Sequence, residues 1–207
     1  MNDIEYFYSA HSAFAYIGSA KLQEIAKRNN ARLIHRPMDL RRVTSGMGGA
    51  TNSLTPLRRA YFSRREIERW AEYRGVPIMC GIPTHHAKAL ELSNGVLIAA
   101  MREGLDLDGL AHAMLKAHWV DDCDLADPDA LKPVIEAAGC PAAPLLAMAL
   151  TPETQAICDA NTAEAIARSV FGSPTYFVGG DMFYGQDHLE LVEQAVSRPF
   201  AKTWPED

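Results

Sequence analysis

No C-x-x-C pair occurs in this chain, and its four cysteines, Cys80, Cys123, Cys140 and Cys158, stand far apart. That spacing excludes a locally built dithiol or zinc knuckle, and free thiols in a reducing compartment are the expectation. Basic charge is short as well: 20 Lys and Arg against 26 Asp and Glu leave a net charge of −6, which argues against a nucleic-acid or anionic-membrane binder. No apolar run approaches the ~18 residues of a membrane span. Asp3 and Glu5 stand where a secretory signal would be basic, so a cytoplasmic protein is expected. Glycine (14) and proline (12) are at ordinary levels, which excludes disorder or a fibrous repeat. Of the seven histidines only His85 and His86 are adjacent. Neighbours on a helix point about 100° apart. A metal site is therefore not expected. What remains is 207 residues, 48% hydrophobic, which is material for one domain or one domain with a large insertion.

The chain opens on Ile4-Glu5-Tyr6-Phe7-Tyr8, a strand by its β-branched and aromatic residues. A polar break, Ser9-Ala10-His11-Ser12, leads into a helix with Phe14, Gly18, Leu22 and Ile25 on one stripe. Lys27 and Arg28 suit its C-terminal dipole and Asn29-Asn30 stop it. Arg32 to Arg36 reads as a second strand, which predicts a parallel crossover. Pro37 to Phe62 reads as a loop, and Ser63-Arg64-Arg65-Glu66 as a capping box opening a helix to Gly75. Helical patterns follow over 84–104, 108–120, 127–139 and from Thr151 onward. Asp127-Pro128 and Thr151-Pro152 set caps before first-turn prolines, and Pro133 is expected to kink or shorten its helix. Strand signal returns at Thr175–Val178, turns at Gly179-Gly180-Asp181, and continues through Met182–Tyr184 as a hairpin. A last helix begins near Asp187.

The order βαβ, helices, ββα is that of a thioredoxin fold with a helical domain inserted in its middle. The expected division is 1–62 and 171–207 for the thioredoxin-like part, and 63–170 for the insertion. Two features point to its working edge. The first strand feeds a helix N-terminus, where free N–H groups and the dipole favour an anion. Ser173-Pro174 lies immediately before the hairpin.

Within this fold, Glu5-Tyr-Phe-Tyr-Ser-Ala-His-Ser12-Ala13-Phe14-Ala15-Tyr16 resembles the opening of the 2-hydroxychromene-2-carboxylate isomerases and kappa-class glutathione transferases. There an apolar strand leads to Ser-Pro-aromatic-Ser. The stretch from Val170 through Ser173-Pro174 and Gly179-Gly180 to Leu189 is similar to their C-terminal signature, and Arg58-Arg-Ala-Tyr61, Glu68-Arg-Trp70 and Gly75-Val-Pro77 to their middle segment. The resemblance spans essentially the whole chain. It implies a cis Ser173–Pro174 bond lying close to Ser12, glutathione as cofactor, a small aromatic substrate and a homodimer.

Carried over residue by residue, the resemblance makes Ser12 the active-site serine, with Ala13 and Ala15 replacing the family's proline and second serine. The positions that hold C-x-x-C in related oxidoreductases here read Ser12-Ala13-Phe14-Ala15, so dithiol exchange is excluded there. A serine with no assigned base is a poor nucleophile but a good hydrogen-bond donor, suited to hold the thiolate of an external thiol. Ser9 and His11 are its rivals in the same loop. The resemblance further implies glutathione contacts at Asn52, Arg58, Ser173, Pro174, Gln186 and Asp187. Asp187 also reads as a plain helix cap. The remaining basic run, Arg59, Arg64, Arg65, Arg69 and Arg74, alternates with Glu66, Glu68 and Glu72 as a solvated helix face would. The implied activity is a redox-neutral, glutathione-dependent isomerisation. A kappa-like transferase, or a thioredoxin-fold binding protein without catalysis, are the rival expectations.

Overall fold

The computed structural model describes residues 3–46 and 55–204. Four strands form one sheet in the order β2-β1-β3-β4: β1 is Asp3–Tyr8, β2 Arg32–Pro37, β3 Thr175–Val178 and β4 Asp181–Tyr184. β1 runs parallel to β2, with Asp3 opposite Arg32 and Tyr8 opposite Pro37. It runs antiparallel to β3, with Ile4 opposite Val178 and Phe7 opposite Thr175. Gly179 and Gly180, at φ 58° and 90°, close the β3–β4 hairpin; two successive positive φ values are what a tight primed turn requires.

The run Tyr6-Phe7-Tyr8 of β1 is buried on both faces of the sheet. Ile4, Tyr6 and Tyr8 join Tyr176, Val178 and helix α1 (Ala13–Arg28) in the larger core. Phe7 points the other way, into a smaller cluster with Met38, Val43, Ala165, Val170 and Phe177. That second face is covered by α2 (Leu40–Gly46) and α9 (Pro152–Ala167). The larger core is completed by α4 (Glu66–Arg74), α5 (Glu91–Arg102), α6 (Leu107–Asp121), α7 (Pro128–Ala137), α8 (Ala142–Ala149) and the C-terminal α10 (Leu189–Ser197). Strands at both ends of the chain thus share one sheet, with helices between them, as a thioredoxin fold with a helical insertion requires. Among the described residues, no helix is long and apolar enough to cross a membrane.

Several local expectations need correction. The span 37–62 is not all loop: α2 begins at Leu40, and α3 (Pro56–Ala60) is capped by Thr55, whose hydroxyl accepts from Arg58 N–H at 3.3 Å. The chain then passes through a π turn, Tyr61–Arg65, directly into α4, so Ser63 caps nothing. Gly75 does end α4, at φ 66°. The helix expected from Thr84 starts only at Glu91, because residues before it spend their hydrogen bonds on turns and on side-chain partners such as Asp122 with Thr84. α8 was missed because Pro141 and Pro144 mask it; it is short and carries no side-chain cap. Asp127 and Thr151 cap α7 and α9, and Pro133 lies inside α7.

Candidate active site

β1 ends at Tyr8, and the loop Ser9–Ser12 turns into α1 across one end of the sheet. The loop is held from three directions. Ala10 N–H donates to Asn94 Oδ1 of α5 (3.3 Å), and Trp119 Nε1 of α6 donates to the His11 carbonyl (2.9 Å). Ser9 N–H donates to Ser173 Oγ (3.1 Å). Asn94 is fully buried and also donates to Met38 O at 3.0 Å, so the helical block sets the loop's position.

Ser12 is the N-cap of α1: its Oγ accepts from Ala15 N–H at 3.2 Å and donates to Ser173 O at 2.9 Å. Cap and proposed donor are therefore one hydroxyl. The Ser173–Pro174 bond is cis, and Pro174 O accepts from Gly185 N–H at 2.9 Å. Residues 12 and 173–174 thus meet although 161 positions separate Ser12 from Ser173. Both serines are nearly buried, at 8% and 7% exposure.

Gln186 opens the 3-10 turn Gln186–His188 that precedes α10. It packs against Gly18 of α1 so closely that a Cβ there would come within 2.6 Å of the Gln186 Cβ. Its amide Nε2 is buried and lacks a hydrogen-bond partner. Its two carbonyls are taken: Arg74 Nε donates to Oε1 (3.1 Å) and Nη2 to the backbone O (3.0 Å). Arg74 therefore leaves the solvated face expected of the basic run. It is 10% exposed, pairs with Glu190 at 2.8 Å, and lies 5.7 Å from the ring centres of Trp70 and Tyr73. Nothing in the alternating charge pattern distinguished it from Arg64 or Arg69, which pair with glutamates of their own helical segment.

Asp187 sits within the 3-10 turn with its carboxylate half exposed, and it caps neither that turn nor α10. Arg58 lies exposed on α3. Asn52 lies outside the described residues.

Beside Ser12, three histidines from distant segments converge. His11 and His118 are buried and His86 half-buried, with ring centres of His11–His118 at 4.5 Å and His86–His118 at 5.3 Å. Burial, with the other imidazoles adding to it, pushes His11 down to about 3 and His86 to about 4; burial lowers His118 too. In all three the shift favours the neutral ring. Their positions, 11, 86 and 118, carry no spacing signal. The adjacent pair that did stand out separates: His85 turns to Asp124 at 3.6 Å, and only His86 joins the cluster. Cys80 is exposed, while burial pushes Cys123 and Cys158 up to about 11, which keeps those two thiols protonated.

A groove of about 800 Å³ lies elsewhere. Asp3, Arg32, Arg36, Phe177 and the Gly179–Asp181 turn line it, at the end of the sheet opposite Ser12.

Residues 3–197 match the family described as DSBA-like thioredoxin domain. The chain is 26% identical over 194 residues to the 2-hydroxychromene-2-carboxylate isomerase of Sphingobium xenophagum, covering 92% of this chain and 95% of that one. It is 25% identical over 200 residues to the enzyme of the same name from Pseudomonas putida, covering 94% of each. A solved 2-hydroxychromene-2-carboxylate isomerase superposes with a TM-score of 0.82 over 95% of both chains, at 22% identity.

Proposed function

Because this chain belongs to the DSBA-like thioredoxin domain family and carries serine where a dithiol would stand, we propose that it is a glutathione-dependent isomerase of 2-hydroxychromene-2-carboxylate-like aromatic intermediates. The observation that carries the reading is the Ser12 hydroxyl, set at the N-terminus of α1 against the cis Ser173–Pro174 bond. The names of the two isomerase relatives support the reaction class.

The residues present fit a γ-glutamyl thiol. The buried Gln186 amide is a donor in need of an acceptor, the role a carboxylate would fill. Asp187 and Arg58 offer one charge of each sign, and Asn52 is the remaining contact proposed. Bound there, glutathione would supply a nucleophilic thiolate that is also a good leaving group, the chemistry that a reversible addition to a conjugated carbon requires.

The chain's part is to hold that sulfur ionised. Shifting a thiol from about 8.5 to about 6.5 takes ~2.7 kcal/mol of preferential stabilisation of the anion. A hydrogen bond to a charged group contributes about 1.5–3 kcal/mol, and a helix N-terminus about 0.3–1 kcal/mol more. For this the Ser12 proton must turn from Ser173 O to the sulfur, while Oγ continues to accept from Ala15 N–H. The cap is kept as the donor is redirected. Ser173, tied through Oγ to Ser9 N–H, keeps the loop in place while this happens.

The test is an assay of the purified protein on 2-hydroxychromene-2-carboxylate, with and without glutathione. Interconversion that requires glutathione and leaves the thiol titre unchanged is expected. Consumption of thiol would replace isomerisation by a transferase reaction. Turnover without any thiol, or none with it, would overturn the assignment.

A further inference from the structure

We propose that His11, His86 and His118 form a binding site for one divalent transition-metal ion, a site separate from the thiol chemistry assigned to Ser12. One ligand nitrogen from each ring lies within 4.8 Å of the other two. Metal–nitrogen bonds of about 2.0–2.1 Å place tetrahedral ligand nitrogens roughly 3.4 Å apart. Loading then opens the His86–His118 pair slightly from 3.0 Å and draws in the wider separations, which reach at most 4.8 Å.

The hydrogen bonds around the rings already select the lone pairs that an ion requires. His118 Nδ1 lies 3.2 Å from the Cys123 carbonyl, and His11 Nδ1 lies 3.4 Å from the His86 carbonyl. A carbonyl only accepts, so both Nδ1 atoms carry hydrogen and both Nε2 atoms present lone pairs. Backbone carbonyls orient metal-ligating imidazoles in the same way. The His118 lone pair meets His86 Nδ1 at 3.0 Å. The His11 lone pair meets nothing: His11 Nε2 is buried without a partner. In the metal-free state His86 Nδ1–H donates to His118. An ion takes the place of that proton, which moves to Nε2 of the same ring.

The frame around the rings is braced. Trp119 Nε1 holds the His11 carbonyl at 2.9 Å, and Arg41 Nη2 binds the carbonyls of His86 (3.0 Å) and Lys88 (2.8 Å). Three imidazoles without a carboxylate select zinc, cobalt, nickel or copper over magnesium or calcium. Among the described residues no fourth His, Cys, Asp or Glu joins the three, so the fourth position falls to water or an incoming ligand.

The experiment uses the full chain, stripped with a chelator and titrated with Co²⁺ without glutathione or substrate, so that its outcome is independent of the isomerase reading. One equivalent should bind, with the visible d–d bands of a nitrogen-rich four-coordinate site. Zn²⁺ should displace it, and Mg²⁺ should not. His86→Gln, at the half-buried position, should weaken binding at least tenfold with the fold retained, and His11→Gln should do the same. His112→Gln and His188→Gln should leave it unchanged. The site is overturned if the parent takes up no Co²⁺, or if His86→Gln and His11→Gln bind as the parent does.

Discussion

The two ends of the sheet solve opposite problems. At the end that opens the large groove, charges are numerous and paired. Arg168 donates to both Glu5 oxygens (2.8 and 2.9 Å) and lies 3.7 Å from the Phe177 ring centre, and Arg32 pairs with Asp3 at 2.9 Å. At the other end His11 Nε2 and Gln186 Nε2 lie buried without partners, as Arg36 Nε does beside the groove. An unpaired buried polar atom costs about 1–3 kcal/mol, a cost that a bound ligand can remove. The comparison teaches that the groove's volume does not by itself mark the site proposed at Ser12.

The sharpest way to break that contrast is Ser12→Ala. Loss of the donor should lower glutathione-dependent turnover about 10- to 1000-fold, by analogy with removing one oxyanion donor. Loss of the cap should cost about 1 kcal/mol of stability. The pH–rate profile should shift upward by one to two units as the bound thiol becomes harder to ionise, about 1.4–2.7 kcal/mol. If Ser9→Ala is impaired instead and Ser12→Ala is not, the donor has been assigned to the wrong serine.

Gly18→Ala comes next. Alanine ordinarily stabilises a helix interior by about 1 kcal/mol over glycine. Here its Cβ would lie 2.6 Å from the Gln186 Cβ, which cannot move without its backbone. A net loss of about 1–3 kcal/mol is expected in the denaturation midpoint, together with weaker glutathione binding. An unchanged or raised midpoint would mean that α1 and the Gln186 turn are not rigidly packed.

At the opposite end the effects should be smaller and confined to stability. Arg168→Ala removes a partly buried bidentate pair and its contact with Phe177, and should cost about 1 kcal/mol with activity intact. Arg32→Ala, in an exposed pair beside the same groove, should change neither quantity measurably. Loss of turnover in either variant would place substrate in the large groove and reverse the comparison.

Much of this molecule was legible in its residues because the signals were local. The aromatic run of β1, the Gly179-Gly180 turn and the Asp127-Pro128 and Thr151-Pro152 caps each encode their structure within a few positions. The pairing of Ser12 with Ser173 followed from resemblance to known sequences, not from any property of the two serines. Errors gathered where hydrogen bonds are long-range. Residues 84–90 have a helical pattern, but Thr84 bonds to Asp122 and the carbonyls of His86 and Lys88 to Arg41. Arg74 looked like its basic neighbours until packing turned it towards Gln186.

By itself, then, the sequence determined the strands, most helices, their order and the serine at the helix start. These depend on periodicity, caps and turns, which act over neighbouring residues. Only the tertiary structure decided which polar atoms are left without partners and which histidines meet. His11 leaves a loop, His86 a turn and His118 a helix, and no spacing rule connects them. They converge because Asn94 and Trp119, fixed in the helical block, hold the Ser9–Ser12 loop against it.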